Sequence, residues 1–135
     1  MIVVDANVIT YLVVESEHTR QAMALAERDR IWISVPLWRF EVTSALVTLV
    51  RARAIDEGLA ARALLRAVAL MAPNERSVDL LAGMRAALRY EISAYDAQYV
   101  ALAESHGVAL VTADRALARK TPFVSVLLAD AHRQL

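Results

Sequence analysis

Short β-branched runs alternate along the chain with longer stretches in which apolar residues recur every three or four positions. Ile2 to Val4 is the first such run, uninterrupted by a polar residue and ended by Asp5, as expected of a strand buried on both faces of a sheet. Asn7 to Val14 reads as a short helix or turn. His18 to Arg28 reads as a helix with Ala22, Leu25 and Ala26 on its apolar side. Ile31 to Val35 predicts a second strand, closed by Pro36, which is also suited to open the next helix. From Leu37 to about Arg53, Phe40, Ala45, Leu46, Leu49 and Val50 follow helical spacing, with Glu41 in the early turns. Helices are predicted over Glu57 to Met71 and Val78 to Tyr90, on either side of the break at Pro73-Asn74, with a short strand at Arg76 to Val78. Ala94 to His106 is a further helix, stopped by Gly107 as a C-cap. Val108 to Val111, Asp114 to Lys120 and Phe123 to Leu128 then read as strand, short helix and strand, ahead of a polar tail.

This alternation predicts an α/β fold, a three-layer α/β/α sandwich around a mainly parallel sheet. The long helical middle is expected to form a hairpin-like excursion from that sheet. The length of 135 residues and the 58% hydrophobic content suit one domain spanning residues 1–135, with a core that needs no disulfides.

Composition narrows the chemistry. Without Cys there is no disulfide framework, thiolate zinc site or thiol nucleophile, which fits a cytoplasmic protein. His18, His106 and His132 lie far apart, so a bound metal is expected to take oxygen ligands. The 15 basic and 15 acidic residues cancel, so net charge gives no argument for nucleic-acid binding. All but one of the basic residues are Arg, whose planar fork suits phosphate. The opening MIVVDANVITYLVVE has no basic n-region and reads as strand and helix, not a signal peptide. No uncharged apolar run reaches membrane-spanning length, so no membrane association is expected.

Asp5, Glu41, Asp96 and Asp114 each stand where a hydrophobic segment gives way to a predicted helix. Each has a structural explanation as a helix cap, and Ser93-Ala94-Tyr95-Asp96 has the spacing of a capping box. Capping does not require four helix starts on one edge of the sheet, however, whereas an open α/β fold gathers strand C-ends and helix N-termini there. Carboxylates brought within 4 Å repel by about 4 kcal/mol per pair at an effective dielectric of roughly 20, so such a cluster calls for protonation or a cation. Mg²⁺ or Mn²⁺ suits it, being a hard ion that takes a few carboxylates and leaves positions open for phosphate oxygens. Its chemistry there is hydrolysis of a phosphodiester.

The segments IVVDANVI, SVPLWRFEVTSAL, SAYDAQYVALAESHGVALVTAD and DRALAR resemble, in this order, the PIN-domain ribonucleases and in particular the VapC-type toxins of toxin–antitoxin pairs. The resemblance spans nearly the whole chain. It implies that Asp5, Glu41, Asp96 and Asp114 bind one or two Mg²⁺ or Mn²⁺ ions and position the attacking water. Asn7 and Thr112 match supporting polar positions. Ala6 stands where many relatives place Ser or Thr, and no clear fifth carboxylate completes the set; Asp79 reads as a cap and Asp130 as a surface residue. The resemblance further implies an RNA substrate, an antitoxin whose C-terminal segment blocks the site, and homodimerisation.

Arg39, two residues before Glu41, and Arg115, directly after Asp114, are candidates for phosphate contact at the rim, or for pairing with a carboxylate. Trp38 is expected in the core or a subunit interface rather than stacked on a base, and Tyr95 and Tyr99, one turn apart, in packing. The Ala- and Leu-rich helices around Ala60 to Met71 either pack on each other or present a surface that a partner covers. Two other readings stay open: a PIN nuclease of RNA maturation or decay without an antitoxin, and a non-catalytic α/β module whose acids only cap helices. A phosphatase with an aspartyl nucleophile fits less well, since Asp5-Ala6-Asn7 lacks a second Asp.

Overall fold

In the computed structural model, which describes residues 1–135, strands β1 (Ile2–Val4), β2 (Trp32–Ile33), β3 (Leu110–Thr112) and β4 (Ser125–Leu127) form one sheet in the order β2-β1-β3-β4. Every pairing is parallel, with Val3 opposite Ile33 and Leu110, and Val111 opposite Val126. Eight helices surround it: α1 (Ala6–Val13), α2 (Thr19–Arg28), α3 (Trp38–Arg51), α4 (Glu57–Met71), α5 (Leu80–Tyr90), α6 (Asp96–His106), α7 (Arg115–Lys120) and α8 (Ala131–Gln134). The expected three-layer sandwich is therefore present.

Strand alternation divides the core in two. Ile2, Val4 and Val111 face a cluster with Val8 and Ile9 of α1, Leu25 of α2, Trp38, Val42 and Leu46 of α3 and Ala63, Ala67 and Met71 of α4. Val3, Ile33 and Leu110 face the opposite cluster, built from Ala86 of α5, Val100 and Leu102 of α6 and Leu117 of α7. The helical middle divides: α3 and α4 pack on each other and on α1 on one side of the sheet, and α5 packs on α6 on the other.

The crossing between faces takes place at the β2 edge. Ser34 bridges Glu75 in parallel register, its N–H donating to the Asn74 carbonyl and its own carbonyl accepting from the Arg76 N–H. This replaces the short strand expected at Arg76 to Val78: one bridge forms, and the Asp79 carboxylate then caps α5 by accepting from the Leu81 N–H. Glu75 has a second task. Its Oε1 accepts hydrogen bonds from the indole of Trp38, at 2.9 Å, and from Arg39, tying the start of α3 to the crossing segment. Trp38 is fully buried, so Glu75→Ala would strand an indole N–H in the core. It is expected to cost about 1–3 kcal/mol in urea unfolding, with Glu75→Gln, which keeps an acceptor, closer to wild type. Equal stability of all three proteins would contradict this.

Other differences from expectation have local reasons. Phe40 does not belong to the buried face of α3: Trp38, Val42 and Leu46, at intervals of four, take that side and leave Phe40 exposed. Phe123 lies outside β4 and is fully exposed, and Tyr95 projects from the surface while Tyr99 is buried. The last strand ends at Leu127, one residue short of expectation, and in the tail a 3-10 turn at Leu128–Asp130 and the short α8 bury Leu128 and Ala131 against the α1–α4 side of the core. Gly107 ends α6 at φ 62°, the left-handed backbone that favours glycine, as expected. No helix is long and apolar enough to cross a membrane.

Candidate active site at the carboxyl edge of the sheet

After β1 the chain moves to β2 on one side, and later returns to β3 on the other, so the crevice between the C-ends of β1 and β3 is a topological switch point. Asp5 follows β1 directly, and Asp114 follows β3 by one residue. Asp96 is the first residue of α6, and Glu41 lies in the first turn of α3. All four acids line one cleft of about 220 Å³, together with Ala6, Asn7, Tyr99 and Leu117. Sequence separation of up to more than a hundred residues is thus closed by the fold, at the edge where helix N-termini gather.

Three of the acids are also held as caps or by hydroxyls. Asp5 accepts from the Val8 N–H at 3.0 Å as N-cap of α1, and Asp114 accepts from the Leu117 N–H at 3.0 Å as N-cap of α7. Thr112, buried at the end of β3, links them. Its hydroxyl accepts the Asp114 N–H at 2.9 Å, and donates its one proton to Asp5 Oδ2. Glu41 accepts from the Tyr99 hydroxyl at 2.6 Å. Asp96 differs: Ser93 caps its backbone N–H at 3.0 Å, but the reciprocal half of a capping box is not made, and no protein hydrogen bond reaches its carboxylate. As they stand, the side chains line the cleft without closing on a common point to enclose an ion. The cleft is thus the shared feature, with each acid anchored separately to its own element.

Charge crowds this edge. Burial pushes the Asp5 carboxyl up to about 6 against the restraining bonds from Thr112 and Val8, and the Glu41 charge adds to the rise. Burial also raises Glu41, an effect opposed by the Tyr99 bond and reinforced by Asp96. Tyr99 is raised by burial and by the adjacent Glu41, so it stays protonated and acts only as a donor. No Arg, Lys or His stands in the lining.

The supporting and rim residues separate. Asn7, exposed on α1, lines the cleft; Arg39 and Arg115 do not. Arg39 is engaged by Glu75, the carboxylate-pairing option, though with a partner outside the acidic set. Arg115 is exposed at the first turn of α7 and makes no ion pair. Sequence reasoning assigned Tyr99 to packing and missed its contact with Glu41; the available signal was its spacing of three from Asp96, which puts both on one side of α6.

An all-parallel, four-stranded α/β/α sandwich with a carboxylate-lined cleft at its switch point defines the class of protein. The PIN domain family model matches residues 2–121, and the chain belongs to this family. Ribonuclease VapC3 of Pyrobaculum aerophilum is 33% identical over 127 residues, covering 90% of this chain and 95% of that protein. Among solved structures, PAE2754 from Pyrobaculum aerophilum is similar with a TM-score of 0.74 and 26% identity, over 94% of this chain and 88% of that one. FitAcB from Neisseria gonorrhoeae is similar in fold, with a TM-score of 0.69 at 15% identity, over 96% of this chain and 99% of that one.

Proposed function

We propose that the protein is a divalent-metal-dependent endoribonuclease, acting as the toxin of a toxin–antitoxin pair in the cytoplasm through a single PIN-like domain. The observation that carries this reading is the meeting of Asp5, Glu41, Asp96 and Asp114 in one cleft without a basic side chain in its lining. The likeness to a relative named as a ribonuclease supports the reaction class. The donor set fits Mg²⁺ or Mn²⁺: its carboxylates and the Asn7 amide offer oxygen, with no thiolate or imidazole, and a cation would offset the burial, and the smaller repulsion between carboxylates, that raise Asp5 and Glu41.

Asp5, Asp96 and Asp114 are the residues assigned to hold the cation. When bound, it supplies charge against which the phosphodiester's developing negative charge is stabilised, and it makes water more acidic. Glu41 holds the attacking water or shares in holding the cation; burial raises its carboxyl, so it accepts a proton more readily than an exposed carboxylate would. Thr112 keeps Asp5 oriented, and Asn7 lies where it can meet substrate or cation. Arg115, unpaired and one residue beyond Asp114, is assigned to phosphate contact; Arg39 would have to leave Glu75 to take part.

The antitoxin and a second copy of the chain are the proposed protein partners. Leu80, Met84 and Leu88 make an exposed apolar stripe along α5, and Phe40 and Leu65 are exposed on α3 and α4, which supports association. The test is to express the protein briefly and map the 5′ ends of cellular RNA, beside an Asp96→Asn control. Discrete new ends that require Asp96 are expected; the same ends in both samples, or none in either, would contradict the assignment.

A further inference from the structure

Tyr99 is the residue of the cleft whose chemistry the reaction above leaves unused. The residue is 1% exposed and belongs to the core cluster that also holds Ala86, Val100 and Leu102, a place that the ring of Phe would fill equally well. The hydroxyl therefore needs its own reason. A buried phenol requires a partner, and this one reaches from α6 to Glu41 on α3, 58 residues away in sequence, at 2.6 Å. Glu41 accepts no other hydrogen bond from the protein. Oε2 is engaged by the phenol, while Oε1 has no protein partner.

The same arrangement occurs a second time in the cleft. Thr112, a fully buried hydroxyl, donates to Oδ2 of Asp5 just as Tyr99 donates to Oε2 of Glu41. In both cases a donor from a rigid element, β3 or α6, fixes one oxygen of an acid that belongs to a different element. Removing a group that orients a ligating carboxylate in this way typically costs about 10- to 100-fold in metal affinity or activity.

We propose that Tyr99 is a positioning residue: its hydroxyl fixes Glu41 so that a single oxygen, Oε1, is offered to the cleft. The proposal rests on the ribonuclease reading and deepens it. Without the phenol, Glu41 rotates about its own side-chain bonds, because nothing else in the protein restrains its carboxylate.

The experiment compares wild type, Tyr99→Phe, Glu41→Gln and the double variant. Mn²⁺ affinity is measured by calorimetry in the absence of RNA, and kcat and KM on an RNA carrying a mapped cut site. Tyr99→Phe is expected to fold, to lose about tenfold or more in Mn²⁺ affinity or kcat, and to keep KM for RNA within about twofold. In the Glu41→Gln background the same substitution is expected to add no further loss, which a merely structural role would not produce. Wild-type affinity and kcat in Tyr99→Phe, or a full additional loss in the double variant, overturns the role of Tyr99 while leaving the ribonuclease reading intact. A wild-type protein that neither binds Mn²⁺ nor cleaves RNA overturns both. Should Tyr99→Phe unfold, Glu41→Ala supplies the second measurement in metal-free protein: the slowly exchanging Tyr99 hydroxyl proton is expected by NMR in wild type and lost in the variant, and its absence from wild type overturns the pairing.

Discussion

Asp5→Asn is expected to abolish RNA cleavage and, in metal-free buffer at neutral pH, to make the protein more stable. Both effects come from one property, a buried charge. Asp5 is 7% exposed, and burial moves its carboxyl from 3.8 to about 6, so the folded protein at pH 7 holds an ionised group that it disfavours. Relative to the unfolded chain this opposes folding by up to about 3 kcal/mol. Asparagine removes that opposition while its amide oxygen still accepts the Val8 N–H, at the cost of re-pairing Thr112. A net rise of roughly 5 °C in thermal midpoint is expected. Catalysis moves the other way, since an amide is a poor substitute for an anionic ligand; even outer partners of metal ligands are worth about 10- to 100-fold, and loss of a ligand should exceed that. Cleavage by gel assay and thermal unfolding by circular dichroism check the pair of effects. An active variant, or an inactive one that is markedly less stable, would count against the assignment.

The second large effect is in pH dependence, whose direction follows from the same shift. The folded pKa of Asp5, about 6, lies above the unfolded value of 3.8, so the folded state binds this proton more tightly. Its contribution to stability is fully present below 3.8, is lost as pH rises towards 6, and is flat above that. Glu41, also raised, acts in the same direction. The stability of Asp5→Asn minus that of wild type, both metal-free, is therefore expected to grow between about pH 4 and 6. A cation must displace the proton, so Mn²⁺ affinity should fall about tenfold per pH unit below roughly 6 if one proton is released. Calorimetry in buffers of different ionisation enthalpy counts that proton. Affinity that is constant from pH 5 to 7 would show that Asp5 is not displaced by the ion. Such acids illustrate how a site stores instability that the rest of the fold must outweigh.

Much of the architecture was legible because local chemistry set it. Ile2 to Val4 is the doubly buried strand that its β-branched run predicts, Gly107 ends a helix at the positive φ that glycine tolerates, and Asp5 and Asp114 mark helix starts that the structure bears out as caps. Errors fell where local pattern and tertiary demand differ. Phe40 has helical spacing but the wrong angle, since Trp38, anchored by Glu75, sets which side of α3 turns inward. The residues Arg76 to Val78 carry β-favouring Val78 and yet make no strand: the pairing at this edge stops at the Ser34–Glu75 bridge just before them, and α5 is capped at Asp79.

The sequence by itself determined the alternation of strands and helices, the lack of thiol ligands and the four acids as candidates, since each depends on residue type and spacing along the chain. Only the tertiary structure decided that those acids share a cleft, that Thr112 spans from Asp5 to Asp114, and that Tyr99 reaches Glu41. The physical reason is that hydrogen bonds and charge repulsion fall off within a few ångströms. Partners 107 residues apart acquire them only when the parallel sheet brings the ends of β1 and β3 side by side, and partners 58 apart only when the fold sets the start of α3 against α6.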